Sequence, residues 1–339
     1  MAQFRVEQVA SPSAFLDDAA ARGWDDSSMN FVLGMLADSH IPAKVAARQL
    51  TDAQRTAYAV YRGDELVLAI SKVAGDFAWT LGTPRSADLS PEDLAAASAQ
   101  LALAIVPGLE PAAMNGLFGQ DALVDAFVDA WVSALRARGV SVSASGRLFD
   151  AKAAYATLAT LPPASTPHPA YTIEPATAAD VDALAPLFAE FSQLHHRPLS
   201  VDAARERVAG HVACGEAWVC RARADGALAA FCVTGRATRR TVAIRNVFVD
   251  HAHRRRGVAS ALTAGMLRFF LGAHPHGVDA PAAPEGGAKA EVCLNVGEDH
   301  VERIYARCGF RFGEDAETGK KEWFRVIIRE FEVQGPGQS

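Results

Sequence analysis

Several features that mark other classes of protein are missing from this sequence of 339 residues. Its five cysteines are an odd number and show neither a CxxC pair nor a zinc-ligand spacing, so we expect reduced, buried thiols and no metal site. No apolar run reaches the roughly 18 residues that a membrane-spanning helix needs. The first residues, MAQFRVEQVASPS, also lack the apolar core of a signal peptide. These absences favour a cytoplasmic protein without a membrane partner, and they leave a nuclear location open.

The sequence also has no excess of positive charge. Its formal net charge is −6, and residues 1–165 contain 12 basic and 18 acidic side chains while the remainder contains 21 of each. Surfaces that bind nucleic acid are usually basic, so nucleic acid is not an expected partner. Half of the residues are hydrophobic and 21% are charged, which is ordinary for globular domains, and the length suits two of them.

A proline-rich stretch near the middle of the chain predicts a linker between two domains. Leu161–Ala170, LPPASTPHPA, has four prolines in ten residues and can sustain neither a helix nor a central strand. We therefore predict one domain over residues 1–162 and a second over residues 170–334.

Both halves contain a similar hairpin pattern. Tyr58–Ser71 and Ala217–Gly235 each consist of an apolar strand, a polar turn and a second apolar strand, with turns at Gly63–Asp64 and Asp225–Gly226. A helical pattern precedes each hairpin, and a strand followed by a helix comes after it. This parallel predicts two copies of one fold, and the alternative is a chance similarity of α/β patterns.

The second half gives the fuller pattern of elements. Besides the hairpin, we predict strands over 171–177, 240–250, 290–296 and 321–333, and helices over 177–195, 201–212, 258–272 and 298–309.

Three arginines and a glycine lie between a β-rich run and a helical run in VFVDHAHRRRGVASAL, Val247–Leu262. The first turn of a helix presents unpaired backbone N–H groups and a positive dipole end, which together bind anions. A glycine at the helix entry, Gly257, lets a phosphate approach the backbone, and the arginines add positive charge around it. For this motif taken alone, the alternative is a basic turn that caps a helix.

A second motif follows about 45 residues later in ERIYARCGFRF, Glu302–Phe312. Together the two motifs resemble the GCN5-related N-acetyltransferase (GNAT) superfamily, and the resemblance covers Tyr171–Val333. It implies an acyl-CoA N-acyltransferase fold of the α/β (α+β) class, with a mixed, mostly antiparallel central sheet flanked by helices. With the parallel between the halves, it implies two copies in tandem, of which the first is degenerate.

The resemblance also implies a site for acetyl-CoA. The strand Asn246–Val249 would diverge from the strand Glu291–Val296 and open a slot, in which backbone groups of Val247 and Val249 bind the pantetheine arm. Amides of the arginine loop would hold the pyrophosphate, and Tyr305 would act as the general acid for the leaving thiolate. The implied cofactor-binding residues are Val247, Phe248, Val249, Arg254, Arg255, Arg256, Gly257, Val258, Ala259 and Ser260.

The sequence departs from the family pattern at the general base. Many members have a glutamate on the long strand where this chain has Arg245, and an asparagine where it has Glu298. The candidate bases are Glu298, Asp250, His195 or a water chain. His195 and His196 are also candidates for the lining of the acceptor site, and the alternative for that pair is a polar helix end.

These features predict an acetyl-CoA-dependent N-acetyltransferase whose acceptor is a small-molecule amine or a peptide. The alternative is a non-catalytic CoA-binding sensor or scaffold. For the first half, we take Ala112–Leu123, AAMNGLFGQDAL, as the counterpart of the arginine loop. It has no arginine or lysine, and Asp121 lies in the first helical turn, where a carboxylate repels phosphate. We therefore expect no cofactor in the first half.

Overall fold

A computed structural model of the protein describes residues 3–42, 44–45, 56–73, 78–164, 167–193, 198–280, 283–284, 286–314 and 321–333. The chain forms two compact units. The first contains Met1–His40, Arg48–Ala153 and Phe324–Ser339, and the second contains Ile41–Ala47 and Ala154–Trp323.

The first part of the chain forms seven strands and four α-helices among its described residues. In chain order they are β1 (Phe4–Gln8), α1 (Pro12–Ala21), α2 (Asn30–Asp38), β2 (Thr56–Arg62), β3 (Glu65–Lys72), β4 (Trp79–Gly82), α3 (Pro91–Ile105), β5 (Gly116–Gln120), α4 (Asp121–Arg136), β6 (Val142–Ala144) and β7 (Phe149–Ala156).

The second part of the chain forms six strands and four α-helices within the described ranges. They are β8 (Tyr171–Pro175), α5 (Val181–Ser192), α6 (Val201–Ala213), β9 (Ala217–Ala222), β10 (Leu228–Gly235), β11 (Thr241–Val249), α7 (Val258–Phe270), β12 (Glu291–Val296), α8 (Asp299–Cys308) and β13 (Trp323–Val333). Both predicted hairpins are confirmed, as β2–β3 and β9–β10, with their turns at the predicted glycines.

Each unit contains a mostly antiparallel sheet with one parallel pair. In the first unit the strand order is β1-β2-β3-β4-β5-β13, and β4 and β5 are the parallel neighbours. In the second unit the order is β8-β9-β10-β11-β12, and β11 and β12 are the parallel neighbours. Both units run through the same sequence of one strand, two helices, three strands, a helix, a strand and a helix. The prediction of two copies of one fold is therefore confirmed.

Helices cover both faces of the sheet in the second unit. Alternate residues of a strand point to opposite faces, so one strand contributes to a core on each side. Phe231 and Val233 of β10 join a core with α5 and α6. Cys232, between them, joins a second core with α7 and α8. The first unit has the same layers, with one core at α1 and α2 and another at α3 and α4. Two separate cores on one sheet leave its open strand ends free for a site.

The division into units differs from the predicted boundaries at two places. The last strand, β13, pairs with β5 from Val326↔Gln120 to Glu330↔Gly116, so Phe324 and the residues after it belong to the first unit. Ile41–Ala47 belongs instead to the second unit. Alternation of apolar residues predicts that a segment is a strand, but it does not determine which strand becomes its neighbour.

Candidate functional site

The slot lies between β11 and β12. Their parallel pairing runs only from Thr241↔Glu291 to Ala243↔Cys293, and no later pair joins these two fully described strands. On its other side, β11 pairs with β10 as far as Val249. Ile244 pairs with Thr234 and Asn246 pairs with Val233, so the strand pairing skips Arg245 between them, which forms a bulge. A bulge bends and twists its strand. The bulge therefore accompanies the separation of β11 from β12, which leaves one edge of β11 open.

The open edge presents the backbone groups of two predicted residues. The amide of Asp250 donates to Ala229 O on the β10 side at 2.9 Å. Because alternate residues of an antiparallel strand direct their backbone groups to opposite edges, Val249 and Val247 face the slot. The side chain of Phe248 points elsewhere, since it is buried in the core with α5 and α6. Val247 and Val249 can therefore pair with an extended ligand, while Phe248 supports the strand.

The loop after β11 leads directly into α7. Asp250 accepts a hydrogen bond from the amide of Ala252 at 2.8 Å and so fixes a short 3₁₀ turn. Arg255 and Gly257 then adopt left-handed conformations, with φ of 60° and 79°. Gly257 is the N-cap and supplies no side-chain cap. The first amides of α7 therefore keep their donor capacity for an anion.

The three arginines have different environments. Arg254 donates from Nε to the carbonyl of Val249 at 3.1 Å, and its guanidinium lies 5.3 Å from the ring centroid of Phe248. Arg255 and Arg256 are exposed, and their side chains make no hydrogen bond or ion pair with any residue that the structure describes. Of the three arginines, Arg255 and Arg256 are therefore the two whose guanidinium groups have no partner among the described residues.

Val258, Ala259 and Ser260 form the first turn of α7. The side chain of Val258 is buried in the core, while Ala259 and Ser260 are half-buried. The linker lies against this turn, because His168 Nε2 is 3.1 Å from Arg256 O. A methyl group on Gly257 would lie 3.8 Å from the ring of His168, an ordinary contact. Glycine is therefore required here by its backbone conformation and not by crowding.

Tyr305 lies on α8 and is buried, with 9% of its surface exposed. Burial raises the pKa of its phenol above the usual range, and the neighbouring Cys232 and Cys308 raise it further. Cys232, which pairs with Val247 in the sheet, belongs to the same core, so Tyr305 lies on the face of the sheet that α7 and α8 cover. At physiological pH Tyr305 is therefore protonated, as a proton donor must be.

The candidate bases have less suitable surroundings. Glu298 is the N-cap of α8, its side chain is 63% exposed, and it lies 3.1 Å from His300 Nδ1. Asp250 holds the 3₁₀ turn of the arginine loop. His195 and His196 lie outside the described residues. Sequence reasoning missed the buried pair formed by His211 and Glu216, which are separated only by the turn between α6 and β9.

The counterpart of the arginine loop in the first unit is not Ala112–Leu123, so that prediction is wrong. In the second unit the arginine loop follows β11, the first strand of the parallel pair β11–β12. The corresponding strand of the first unit is β4, the first strand of the parallel pair β4–β5, and it leads into α3. The error has a simple cause: the parallel partner of a strand is a tertiary property that flanking residues do not reveal.

At the correct junction, α3 is already capped. Ser90 Oγ accepts a hydrogen bond from the amide of Asp93 at 3.1 Å, and Glu92 and Asp93 lie in the first turn. Another carboxylate, Asp26, accepts a hydrogen bond from the backbone amide of Arg85 in the same loop at 2.8 Å. The protein's own acceptors and negative charges thus occupy, in the first unit, the helix entry that corresponds to the uncapped N-terminus of α7.

The slot of the first unit is closed as well. Three of the four residues of β4, from Trp79 to Leu81, pair with β5. A methyl group on Gly119 of β5 would lie only 2.4 Å from Leu81 O, so the strands touch near the end of β4. On α4, the seventh residue is Phe127, whereas on α8 the seventh residue is Tyr305. The first copy therefore lacks the open strand edge, and a phenylalanine stands at the helical position of the tyrosine.

Comparisons with known proteins agree with this geometry. Residues 181–275 match the family model described as the Acetyltransferase (GNAT) family. No curated protein matches the chain. An X-ray structure of a Drosophila protein has a TM-score of 0.54 and 13% identity, and the alignment covers 96% of this chain and 98% of that one.

Two further solved structures align over 99% of this chain. One is a tandem GNAT protein from the clavulanic acid biosynthesis pathway, with 14% identity, a TM-score of 0.49 and all of that chain covered. The other is a GCN5-related N-acetyltransferase from Sphaerobacter thermophilus, with 15% identity, a TM-score of 0.46 and 97% of that chain covered.

The family match supports acyltransferase chemistry in general, and the family acts on small-molecule or peptide acceptors. Among the described residues, no helix has both the length and the apolar character to cross a membrane. The matched segment contains the open strand and the uncapped helix, and the first unit repeats the same order of elements. This chain therefore contains two copies of one fold in tandem, and the second copy carries the segment that matches the GNAT family model.

Proposed function

We propose that the second unit is an N-acetyltransferase that uses acetyl-CoA and acetylates a primary amine of a small molecule or a peptide. The observation that carries the proposal is the continuity of the open edge of β11 with the uncapped N-terminus of α7. An open strand edge pairs with an extended amide-containing arm, and a helix N-terminus binds phosphate. The two features are joined by one short loop, in the order that a CoA molecule requires.

Different residues of the slot bind different parts of the CoA molecule. Amides from Arg255 to Ser260 donate hydrogen bonds to the pyrophosphate, and Arg255 and Arg256 add screened positive charge. Val249 and Val247 orient the pantetheine arm, so that the acyl end lies near Asn246 and the bulge at Arg245. CoA supplies the acetyl group as a thioester, and the protein holds it against the acceptor amine. Such positioning provides much of the rate enhancement.

Tyr305 is the proton donor in this proposal. Support for this role comes from the core formed with α7 and α8, which contains both Tyr305 and Cys232, the β10 partner of Val247. The helix that bears it is tied to the phosphate-binding turn, because Cys308 Sγ donates to Ser260 O at 3.5 Å. This contact links the two helices and so helps to hold the proton donor in a fixed position relative to the bound thioester.

A second candidate function is binding of CoA without turnover, as a sensor or scaffold. It is favoured by Arg245, which stands where many family members have a carboxylate, and by the solvent exposure of Glu298. Calorimetric titration with CoA, together with measurement of acetyl-CoA consumption across a panel of primary amines, separates the two functions. Binding with amine-dependent consumption supports the enzyme, binding without consumption supports the sensor, and no binding overturns both.

A further inference from the structure

A cluster of ionisable side chains lies beneath the bulge of β11. Glu216, just before β9, has two ionisable neighbours: Lys44 Nζ is 2.5 Å from Oε1 in an ion pair, and His211 Nδ1 is hydrogen-bonded to Oε2 at 2.8 Å. At most a tenth of each of these three side chains is exposed. Lys44 and His211 therefore converge on one buried carboxylate within the second unit.

Arg245 connects this cluster to the slot. A methyl group on Gly235 would lie 3.0 Å from Arg245 Cδ and also 3.0 Å from Glu216 Oε1, so the two side chains approach each other across that glycine. Arg245 is the bulged residue at which β11 has left β12. The cluster therefore lies beside the part of β11 that the proposed acyl end would reach.

The pair has one defined tautomer. Burial by itself would raise the pKa of Glu216, but the hydrogen bond from His211 and the charge of Lys44 outweigh it and hold the pKa at about 2. An ionised carboxylate can only accept hydrogen bonds, so Nδ1 of His211 carries the proton. The lone pair is then on Nε2, for which the structure shows no partner among the described residues.

The surroundings of His211 keep it neutral. Burial is the main cause of its lowered pKa; Arg245 on β11 and Arg207 on its own helix lower the pKa further, while Glu216 opposes them. From α5 the facing group is the ring of Phe188, with the ring centroids 6.0 Å apart. A neutral imidazole held by a carboxylate at Nδ1 is the arrangement of a general base.

We propose that His211 is the general base of the second unit and that Glu216 is its positioning residue, an inference that rests on the proposed acetyl transfer. The acceptor nitrogen forms a bond with the thioester carbonyl carbon while the C–S bond breaks. The proton lost by the nitrogen goes to Nε2 of His211, and the thiolate takes the proton of Tyr305. Both residues are restored by proton exchange with water.

This assignment separates acid and base onto the two faces of the sheet. Tyr305 belongs to the core on the side of α7 and α8, whereas His211 extends from α6 on the other side. The slot between β11 and β12 joins these faces because the strands have parted there. Glu216, just before β9, also supplies the carboxylate that β11 lacks at Arg245.

The test uses the full-length chain with His211→Asn. The amide of asparagine can replace Nδ1–H as a donor to Glu216, but it supplies no base. We expect kcat/KM for the fastest amine of the panel to fall by about 100-fold or more, with CoA affinity unchanged. In the acid limb of the kcat/KM profile, the inflection that reports His211 in the wild type should disappear with the same amine, while the inflection of the amine itself remains. Near-wild-type activity, or an unchanged acid limb, overturns the proposal.

A second measurement does not depend on activity. In protein labelled with ¹⁵N-histidine, NMR should show His211 as the Nδ1–H tautomer with a pKa below that of a free histidine. An Nε2–H tautomer overturns the proposal even if His211→Asn fails to fold. Failure of the proposed function has a different signature, because the wild type would then bind no CoA or consume no acetyl-CoA with any amine.

Discussion

Arg254 donates from Nε to the carbonyl oxygen of Val249 at 3.1 Å, so the first arginine of the loop is tied to the last residue of the open strand. Its Nη2 is also 4.0 Å from Glu190 Oε1. Arg255 and Arg256 have no such contacts with described residues. The triplet RRR, uniform in sequence, is therefore divided between one arginine that stabilises the loop and two that are free to meet a ligand.

This division predicts unequal effects on CoA binding. Replacing Arg255 and Arg256 together by alanine should weaken CoA binding by no more than about 30-fold at low salt, because exposed charge pairs contribute only about 0.2–1 kcal/mol each. Arg254→Ala is the matched comparison and should change affinity less. Calorimetric titrations at low and high salt measure both effects. Equal losses for all three arginines would contradict the division.

Gly257→Asp should abolish CoA binding, with Gly257→Ala as its control. Both variants carry a side chain at φ of 79°, which costs about 1–2 kcal/mol in the left-handed region. Only aspartate adds a negative charge beside the first amides of α7. We expect the alanine variant to retain measurable CoA affinity and the aspartate variant to lose at least about 100-fold in CoA affinity. A loss of that size is what repulsion between a carboxylate and a phosphate in a shielded site would produce. Similar affinities in two folded variants would exclude this loop as the phosphate site.

Tyr305→Phe should reduce kcat by about 100- to 10,000-fold, as loss of a general acid typically does. The variant should bind acetyl-CoA normally, because the phenol acts only when charge develops on sulfur. The buried ring is retained, so the free energy of unfolding should change little. Rapid-mixing kinetics and calorimetry check the two halves of this expectation. Full activity in Tyr305→Phe protein would show that the residue only packs against its neighbours.

The full-length chain should bind one CoA, and Gly257→Asp should remove it entirely. In the first unit, Ser90 already caps α3, and Glu92 and Asp93 oppose a phosphate there. A calorimetric stoichiometry of two, or one remaining site in Gly257→Asp protein, would show that the first unit binds CoA as well. Substituting Glu92→Gln and Asp93→Asn should not create a second site, since the β4–β5 slot stays closed.

Acid should destabilise the protein through Glu216. Its pKa is 4.5 in the unfolded reference and about 2 in the folded protein, so the carboxylate stabilises the fold fully above pH 4.5. That contribution, on the order of 3 kcal/mol, is lost as the pH falls from about 4.5 to about 2. Urea unfolding of the wild type and Glu216→Gln across this range measures it. The variant should be less stable at pH 7, because Lys44 is left buried without its anion, and it should show a flatter acid dependence.

Local sequence patterns determined the elements that lie along a continuous stretch of chain. The hairpin around Gly63, the hairpin around Gly226 and the helix that follows Gly257 were all predicted. Each depends on interactions within a few residues: alternation of apolar side chains, a turn residue with positive φ, or a helix start. The arginine and tyrosine motifs, read together, also pointed to the family whose model matches residues 181–275.

Only the tertiary structure decided which distant segments are neighbours. It placed β13 beside β5, made β4 and not β5 the counterpart of β11, and brought Lys44 and His211 to Glu216. A strand offers the same kinds of backbone donors and acceptors to any partner, and a buried ion pair depends on packing that brings two distant charged groups together with good geometry. Neither property can be predicted from the residues of a short segment. The sequence by itself therefore determined the repeated order of elements and the loop that leads into α7, while the close β4–β5 pairing of the first unit and the buried pair of His211 and Glu216 followed from long-range packing.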